Sequence, residues 1–268
     1  MFSHQVLHRS QWHHEIIEVV EKDGVRYLHF GNHMRQSAMS LEDPHHLVLP
    51  YTRHMMACLM FIPSPKRILM LGLGGGSMAK FLHHHFPQSS VDVVDINARV
   101  IAVAHQFFYM PKDERIRIHL IDGEQFIDQA QTGQKNVFDL ILIDLFNAKG
   151  QVSSIHNAEF YQKCHQLLSP VGLIAINMSR ANGSNYQHIS TTIQENGMTT
   201  PLHLPVGETL NEIIFSPTLQ TTPLVWKNLQ PKASALEKQL NLEYSHFLQR
   251  MVKVNTPLWR RLFEKGGI

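Results

Sequence analysis

The sequence predicts an α/β fold in which a mostly parallel sheet, covered on both faces by helices, follows a small amino-terminal β-hairpin domain. Three observations indicate this. Apolar runs typical of buried strands alternate with helical runs from about residue 61 to residue 230, an alternation that gives parallel sheets. A glycine-rich turn separates the first of these strands from the first helix. Before them, the β-rich runs "EIIEVV" and "VRYLHF" flank the turn signal "EKDG".

The chain divides into three predicted regions. Residues 1–60 form the small β domain, and the run Pro63-Ser64-Pro65 marks its end. Residues 61–230 form the α/β core. Residues 231–268 form a helical extension, in which "SALEKQLNLEYSHFLQRMV" predicts one amphipathic helix.

Each core element follows from its hydrophobic period. Asn97 is a good N-cap for the second helix. The predicted strands are "RILMLG", "VDVVD", "RIRIHLID", "FDLILID", "GLIAINM", "TTPLHLP" and "NEIIFS". The predicted helices are "SMAKFLHHHF", "NARVIAVAHQFF", "GEQFIDQAQT", "NAEFYQKCHQLL" and "NYQHISTTIQEN".

Composition excludes several classes of protein. Of the 268 residues 43% are hydrophobic, and 24 Lys+Arg against 22 Asp+Glu leave a net charge of +2. We therefore expect no nucleic-acid partner, because such a partner needs a basic patch. No apolar run approaches ~18 residues, so we expect no membrane span. The polar start "MFSHQVLHRSQWHHE" and two cysteines without metal or redox spacing predict a soluble, cytoplasmic protein.

The glycine turn is the first candidate binding element. Gly72, Gly74, Gly75 and Gly76 follow the first core strand and precede its helix. Glycine adopts positive φ without strain and lets a ligand lie against bare backbone, and amides at the helix start point at that ligand. The third glycine of a dinucleotide fingerprint is replaced by Ser77, so the match is imperfect. A turn used only for helix–sheet packing is the alternative.

Acidic residues end the next three strands. Asp95, Asp122 (followed by Gly123) and Asp144 reach the same edge, because parallel strands all end there. Asp95 is placed to accept the hydroxyl hydrogens of a ribose. This acidic edge suits a cationic ligand better than a pyrophosphate, since one opposite charge at about 4 Å contributes about 4 kcal/mol at a dielectric of about 20. An adenosyl-sulfonium nucleoside is such a ligand. The alternative for each acid is a helix-capping carboxylate.

Together, "LGLGGGS", "VVDIN", "IDGEQF" and "ILIDLFN" resemble the spermidine synthase (polyamine aminopropyltransferase) family. The resemblance runs from about Gln36 to Met178 and is strongest between Ile68 and Tyr161. It implies a Rossmann-like, methyltransferase-type core behind a small β domain, and a homodimer. It also implies an enzyme that transfers an aminopropyl group from decarboxylated S-adenosylmethionine to a small-molecule amine, with no tightly bound cofactor.

Residue by residue, the resemblance implies a division of roles. Gly72, Gly74 and Gly76 surround the sulfur end of the nucleoside, and Asp95 binds the ribose. Asp122 binds the adenine amino group. Asp144 is the catalytic carboxylate, which takes a proton from the acceptor amine and orients it.

Three positions depart from the family pattern. The family's loop aspartate is replaced by Gly75, and a second aspartate, three residues after the catalytic one, is replaced by Asn147. The family's Tyr-His/Gln-Glu segment corresponds to "PYTRHMM", with Tyr51 displaced by one residue and with Arg53 and His54 in place of the expected pair. One hypothesis is that Arg53 binds the carboxylate of intact S-adenosylmethionine. A plain structural role for Arg53 is the alternative.

Gln36 and Ser37 are candidate pocket residues from the first region, with a strand-to-loop hydrogen bond as the alternative. Tyr51, Arg53 and Asn147 are the other candidate substrate contacts. The histidine runs predict no metal site, because neighbouring helical histidines point in different directions. The rival functions are methyl transfer from S-adenosylmethionine to a small molecule and nucleoside binding without catalysis.

Overall fold

The structure, a computed structural model, describes residues 5–12, 15–31, 35–133, 137–147, 150–151, 157–180, 189–194, 199–207, 209–218 and 226–256. Within these ranges no helix is both long and apolar enough to cross a bilayer.

The first sheet is antiparallel, and among the described residues its strands lie in chain order. They are β1 (Gln5–Trp12), β2 (Glu15–Lys22), β3 (Val25–Phe30) and β4 (Arg35–Ser40). The predicted hairpin is confirmed, because β2 and β3 are joined by the two-residue turn Asp23–Gly24. Both turn residues have positive φ, 52° and 74°, as this type of hairpin requires.

The central sheet has the order β12-β13-β11-β8-β5-β6-β7 in the part of the chain that the structure describes. Neighbouring strands from β11 to β7 are parallel, while β13 and β12 are antiparallel additions. The order reverses between β5 and β8, where ligands bind in open α/β sheets. The strands are β5 (Arg67–Leu71), β6 (Ser90–Asp95), β7 (Ile116–Leu120), β8 (Phe138–Ile143), β11 (Leu168–Ser179), β12 (Leu202–Pro205) and β13 (Asn211–Pro217), with a short pair β9 (Phe146–Asn147) and β10 (Gly150–Gln151) after β8.

Helices cover both faces of this sheet, which confirms the predicted fold class. Asn97 caps the second core helix as predicted, since its side-chain oxygen accepts hydrogen bonds from the N–H groups of Arg99 and Val100. The helices are α1 (Pro50–Met55), α2 (Ser77–His85), α3 (Ala98–Phe107), α4 (Gly123–Gly133), α5 (Ala158–Leu167), α6 (residues 189–194), α7 (Gln230–Leu240) and α8 (Tyr244–Asn255), with 3-10 turns at Met56–Met60 and Trp226–Leu229.

Separate apolar clusters cover the two faces of the central sheet. One face packs against α1, α2, α7 and α8, and the other packs against α4 and α5. The 3-10 turn Met56–Met60 is fully buried in the first cluster, and the Tyr244 hydroxyl donates to the Met56 carbonyl at 3.2 Å. Residues 50–60 thus pack with the central core. The domain boundaries near residues 60 and 230 stay predictions.

The carboxyl-terminal region differs from the prediction of a single helix. Asn241 adopts a left-handed conformation, with φ 52° and ψ 43°, and ends α7. Asparagine tolerates this conformation better than most residues and commonly terminates helices in this way. A second helix, α8, then returns across α7 and β12.

A substitution at Gly72 can test how closely the end of β5 approaches the end of β8. The φ of Gly72 is +99°, and an added Cβ would lie 2.2 Å from the carbonyl oxygen of Asp144. We expect Gly72→Ala to lower the free energy of unfolding by at least about 2 kcal/mol, because backbone strain alone costs ~1–3 kcal/mol. Urea denaturation measures this. Gly133→Ala is the matched control.

At Gly133 an added Cβ meets nothing within 4 Å, and the residue ends α4. The control should therefore leave stability unchanged or raise it by up to about 1 kcal/mol. Equal stabilities for the two variants would contradict the close approach at Gly72.

Candidate active site

The glycine turn begins where three parallel strands end together. The Gly72 N–H donates to the Val94 carbonyl at 2.8 Å, and the Asp144 N–H donates to the Leu71 carbonyl at 2.9 Å. These bonds extend the sheet just beyond the ends of β5, β6 and β8. Gly74 and Gly76 also have positive φ, 53° and 73°, so the turn winds into α2 with little side-chain cover.

Asp95 binds this turn directly. Its carboxylate accepts hydrogen bonds from the N–H groups of Leu73 at 3.0 Å and Asn97 at 2.8 Å. Burial raises the pKa of Asp95, and hydrogen bonds from the backbone of Asn97, Leu73 and Gly74 oppose that shift. A carboxylate has about four acceptor positions, so one position stays available for a ligand hydroxyl.

Asp122 has the capping role that was the alternative at the sequence level. One carboxylate oxygen accepts from the N–H groups of Glu124 at 2.9 Å and Gln125 at 3.2 Å, at the start of α4. The other oxygen makes no hydrogen bond within the described residues. Gly123, the first residue of α4, lies against the Leu145 side chain, which an added Cβ would meet at 3.7 Å. Asp122 therefore caps its helix and still offers one oxygen at the acidic edge.

Asp144 lies at the end of β8 and is held by uncharged partners. The Asn177 side-chain amide donates to Oδ1 of Asp144 at 2.8 Å, and the Asn211 amide donates to Oδ1 of Asn177 at 2.9 Å. The Tyr51 hydroxyl also lies near the carboxylate. Burial raises the pKa of Asp144, and the Asn177 amide and the Tyr51 hydroxyl oppose that shift. The carboxylate is thus oriented while its charge is left unneutralised.

Tyr51 connects this carboxylate to the first sheet. Its hydroxyl donates to the Gln36 carbonyl oxygen at 3.2 Å. Burial and the nearby Asp144 carboxylate raise the pKa of this phenol. Gln36 enters the site through its backbone, and Tyr51 through its side chain.

Two other candidates are placed differently. Nε of Arg53 lies 3.6 Å from a carboxylate oxygen of Glu243. Helical residues two apart do not face each other, so Arg53 is directed to the carboxyl-terminal helices while Tyr51 contacts Asp144. The Asn147 side chain lies outside the described residues.

Gly75 has no free space beside it. An added Cβ would lie 3.0 Å from both Cδ1 of Phe108 and Cβ of Ser37, and the Gly75 N–H donates to the Ser37 hydroxyl at 2.8 Å. The packing around Gly75 therefore leaves no room for the aspartate that the family pattern has at this position.

At Ser37 the structure shows the strand-to-loop hydrogen bond that was the alternative for this position. Sequence reasoning missed Asn177 and Asn211. Asn177 is 3% exposed, in the otherwise apolar run "GLIAINM". A buried polar side chain in such a strand needs a hydrogen-bonding partner. The asparagine in this apolar run was therefore the signal from which a polar contact could have been predicted. Nothing local in the sequence connects Ser37 with Gly75.

The acidic edge carries unpaired negative charge. No ion pair within the described residues involves Asp95, Asp122 or Asp144. Uncompensated carboxylates at partly buried positions attract a cation strongly. The same part of the chain contains no group of three or more His, Cys, Asp or Glu residues placed to hold a metal ion.

Two clefts lie at the opposite edge of the sheet. One, of about 370 Å³, includes Lys66 and Ser89, which directly precede β5 and β6. The other, of about 290 Å³, includes Arg67 and Phe138, the first residues of β5 and β8. Because the acids stand at the carboxyl ends of the strands, neither cleft belongs to their site.

Comparisons with known proteins agree with this geometry. Residues 49–222 match the sequence model of the spermine/spermidine synthase domain. A polyamine aminopropyltransferase of Chromobacterium violaceum is 32% identical over 240 residues, which cover 89% of this chain and 90% of that protein.

Solved structures show the same fold. A probable spermidine synthase from Corynebacterium glutamicum superposes with a TM-score of 0.72 at 20% identity, over 87% of this chain and 86% of that one. Human Methyltransferase-like protein 13 in complex with SAH superposes with a TM-score of 0.66 at 24% identity, over 72% of this chain and 93% of that one. By the domain match and the relative over most of its length, this chain belongs to the spermine/spermidine synthase family.

Proposed function

We propose that this protein is a polyamine aminopropyltransferase, which transfers an aminopropyl group from decarboxylated S-adenosylmethionine to a small amine. The observation that carries the proposal is the Asp144 carboxylate. It lies beside the glycine turn, accepts a hydrogen bond from Asn177, lies near the Tyr51 hydroxyl, and has no cationic partner among the described residues. Membership in the family supports the same activity.

The donor fits the acidic edge by charge and by shape. The nucleoside's sulfur end lies over Gly72, Gly74 and Gly76, where no side chain intervenes. Asp95 accepts from a ribose hydroxyl at its remaining acceptor position, and the Asp122 oxygen that makes no hydrogen bond within the described residues accepts from the adenine amino group. The sulfonium and the amine of the donor tail are both positive, so the uncompensated carboxylates favour binding.

Asp144 makes the acceptor nucleophilic. At neutral pH the acceptor amine is an ammonium without a lone pair, and Asp144 takes one of its protons. The freed lone pair attacks the carbon next to sulfur. The carbon–sulfur bond breaks with both electrons left on sulfur, so methylthioadenosine leaves as a neutral thioether. Burial helps this step, because it raises the pKa of Asp144 and makes the carboxylate a better base.

A cytoplasmic homodimer is part of the same proposal. The family resemblance supports the dimer. Cys58 and Cys164 are buried free thiols, and this supports a reducing compartment.

Methyl transfer from intact S-adenosylmethionine is the second candidate. The crowding at Gly75 favours it, because the turn has neither a carboxylate nor room for one to bind the ammonium of the donor tail. The likeness to Methyltransferase-like protein 13 shows only that the fold is shared. Arg53 lends this candidate little support, since its guanidinium lies with Glu243.

Replacing Asp144 tests its role as proton acceptor. We expect Asp144→Asn to lower kcat by about 10²–10⁴-fold, the usual contribution of a positioned base, while methylthioadenosine still binds. Mass spectrometry of the polyamine product and calorimetry of methylthioadenosine binding measure the two effects. Asp128→Asn on the exposed side of α4 is the control and should keep full activity. Loss of less than half of kcat in Asp144→Asn would rule out this role.

The same residue predicts an effect of pH on stability. Because the folded-state pKa of Asp144 is raised by burial, its stabilising contribution is present at low pH and is lost as pH rises through that pKa. Asp144→Asn should therefore unfold at a higher temperature than wild type at pH 8, with the difference absent near pH 3, where Asp is protonated in both states. Calorimetric scans at the two pH values measure this. If Asp144→Asn is less stable than wild type at pH 8, burial of the Asp144 carboxylate does not destabilise the folded protein.

Donor choice separates the two candidate functions. We expect decarboxylated S-adenosylmethionine to bind at least about tenfold more tightly than S-adenosylmethionine, because the extra carboxylate of the latter is repelled by the acidic edge. Calorimetry with both donors measures the ratio. A preference for S-adenosylmethionine together with a methylated product would establish the second candidate. Tight binding of a donor that is consumed with none of a panel of amines would indicate nucleoside binding without catalysis.

A further inference from the structure

Strand β4 of the first sheet contacts the proposed site along four consecutive residues. The Gln36 carbonyl receives the Tyr51 hydroxyl at 3.2 Å, and the Ser37 hydroxyl receives the Gly75 N–H at 2.8 Å. Successive side chains of a strand point to opposite faces. Here alternate residues make their contacts through a backbone carbonyl and through a side chain, so consecutive residues all reach the central domain. Strand β4 therefore contacts both Tyr51, which lies near Asp144, and the glycine turn.

The next two residues of β4 bind the helix that follows the turn. The Ser77 hydroxyl, at the first position of α2, donates to the Ala38 carbonyl at 3.1 Å. One turn later, Nζ of Lys80 lies 2.9 Å from the sulfur of Met39 and donates to the Phe108 carbonyl at 2.7 Å. The glycine turn is thus fixed to β4 at its centre and at the start of its helix.

Lys80 joins β4, α2 and the residue after α3 at one buried point. The side chain is 1% exposed, and burial lowers its pKa to about 8. A buried ammonium without a carboxylate partner is costly. Lys80 therefore depends on its contacts with Met39 and Phe108 staying in place. The end of α3, the start of α2 and β4 are therefore held in one arrangement around Nζ.

Ser37 contacts the middle of the glycine turn. It is 5% exposed, and an added Cβ on Gly74 would lie 2.5 Å from its hydroxyl oxygen. The hydroxyl satisfies an amide in a turn that has few side chains of its own to fix its shape. Without that acceptor, the Gly75 N–H has no other partner within the described residues.

We propose that β4 sets the shape of the glycine turn, and that Ser37 is a positioning residue for donor binding. The proposal rests on the proposed function for the identity of the donor. Ser37 acts through Gly75, so its loss weakens donor binding and leaves the acceptor's KM and the chemical step almost unchanged. A residue that merely stabilised the fold would not produce that separation.

The test compares Ser37→Ala with Ser40→Ala. Both serines lie on β4, but the Ser40 hydroxyl accepts from Asp43 at 3.2 Å and does not touch the turn. We expect Ser37→Ala to raise the Kd of methylthioadenosine by about tenfold, in line with one lost hydrogen bond and a less ordered turn. The acceptor's KM should change less than about twofold, and Ser40→Ala should match wild type in both.

A second measurement needs no ligand. Amide hydrogen exchange by NMR should show faster exchange of the Gly75 N–H in Ser37→Ala than in wild type or Ser40→Ala, because the acceptor is gone. Unchanged exchange at Gly75 in Ser37→Ala would overturn the role of Ser37. If wild type binds methylthioadenosine, an unchanged Kd in Ser37→Ala would overturn it as well. If wild type does not bind methylthioadenosine, the proposed function fails, and the exchange rates still decide whether β4 fixes the turn.

Discussion

The close approach of Gly72 to the backbone of Asp144 is the constraint on which the site depends. A side chain at Gly72 would reach within 2.2 Å of the Asp144 carbonyl oxygen, so only glycine lets β5 and β8 stay paired to their ends. On the other side, the Gly72 N–H bonds the Val94 carbonyl at 2.8 Å. The turn, Asp95 and Asp144 are consequently delivered to one edge by the sheet itself.

The partners of Asp144 preserve its charge. Asp92, also in the central sheet, is a useful contrast, because its carboxylate lies 2.8 Å from His119, a partner that can itself carry positive charge. Asp144 instead accepts a hydrogen bond from the Asn177 amide and lies near the uncharged Tyr51 hydroxyl. Neutral donors fix the direction of a carboxylate without cancelling its field, which is the combination that a cationic substrate and a proton acceptor both need.

The parts of the site that were predictable are those encoded in adjacent residues. The turn after β5 and the acid after β6 follow from strand–glycine–helix order, and the hairpin follows from its Asp-Gly turn. Asn177 was accessible only as a polar interruption of an apolar strand. The bond from Gly75 to Ser37 joins the turn after β5 to a strand of the first sheet, so no local pattern contains it. The break at Asn241 was missed because α7 and α8 share one amphipathic period.

The phenol of Tyr51 lies between the first sheet and the acidic edge. It donates to the Gln36 carbonyl at 3.2 Å, and burial together with the nearby Asp144 carboxylate raises its pKa well above the usual range. The phenol therefore keeps its proton at physiological pH, and the Gln36 carbonyl keeps its donor whether or not the neighbouring carboxyl is ionised. A rearrangement of β4 would have to come from movement of the backbone, because titration of the phenol does not supply it.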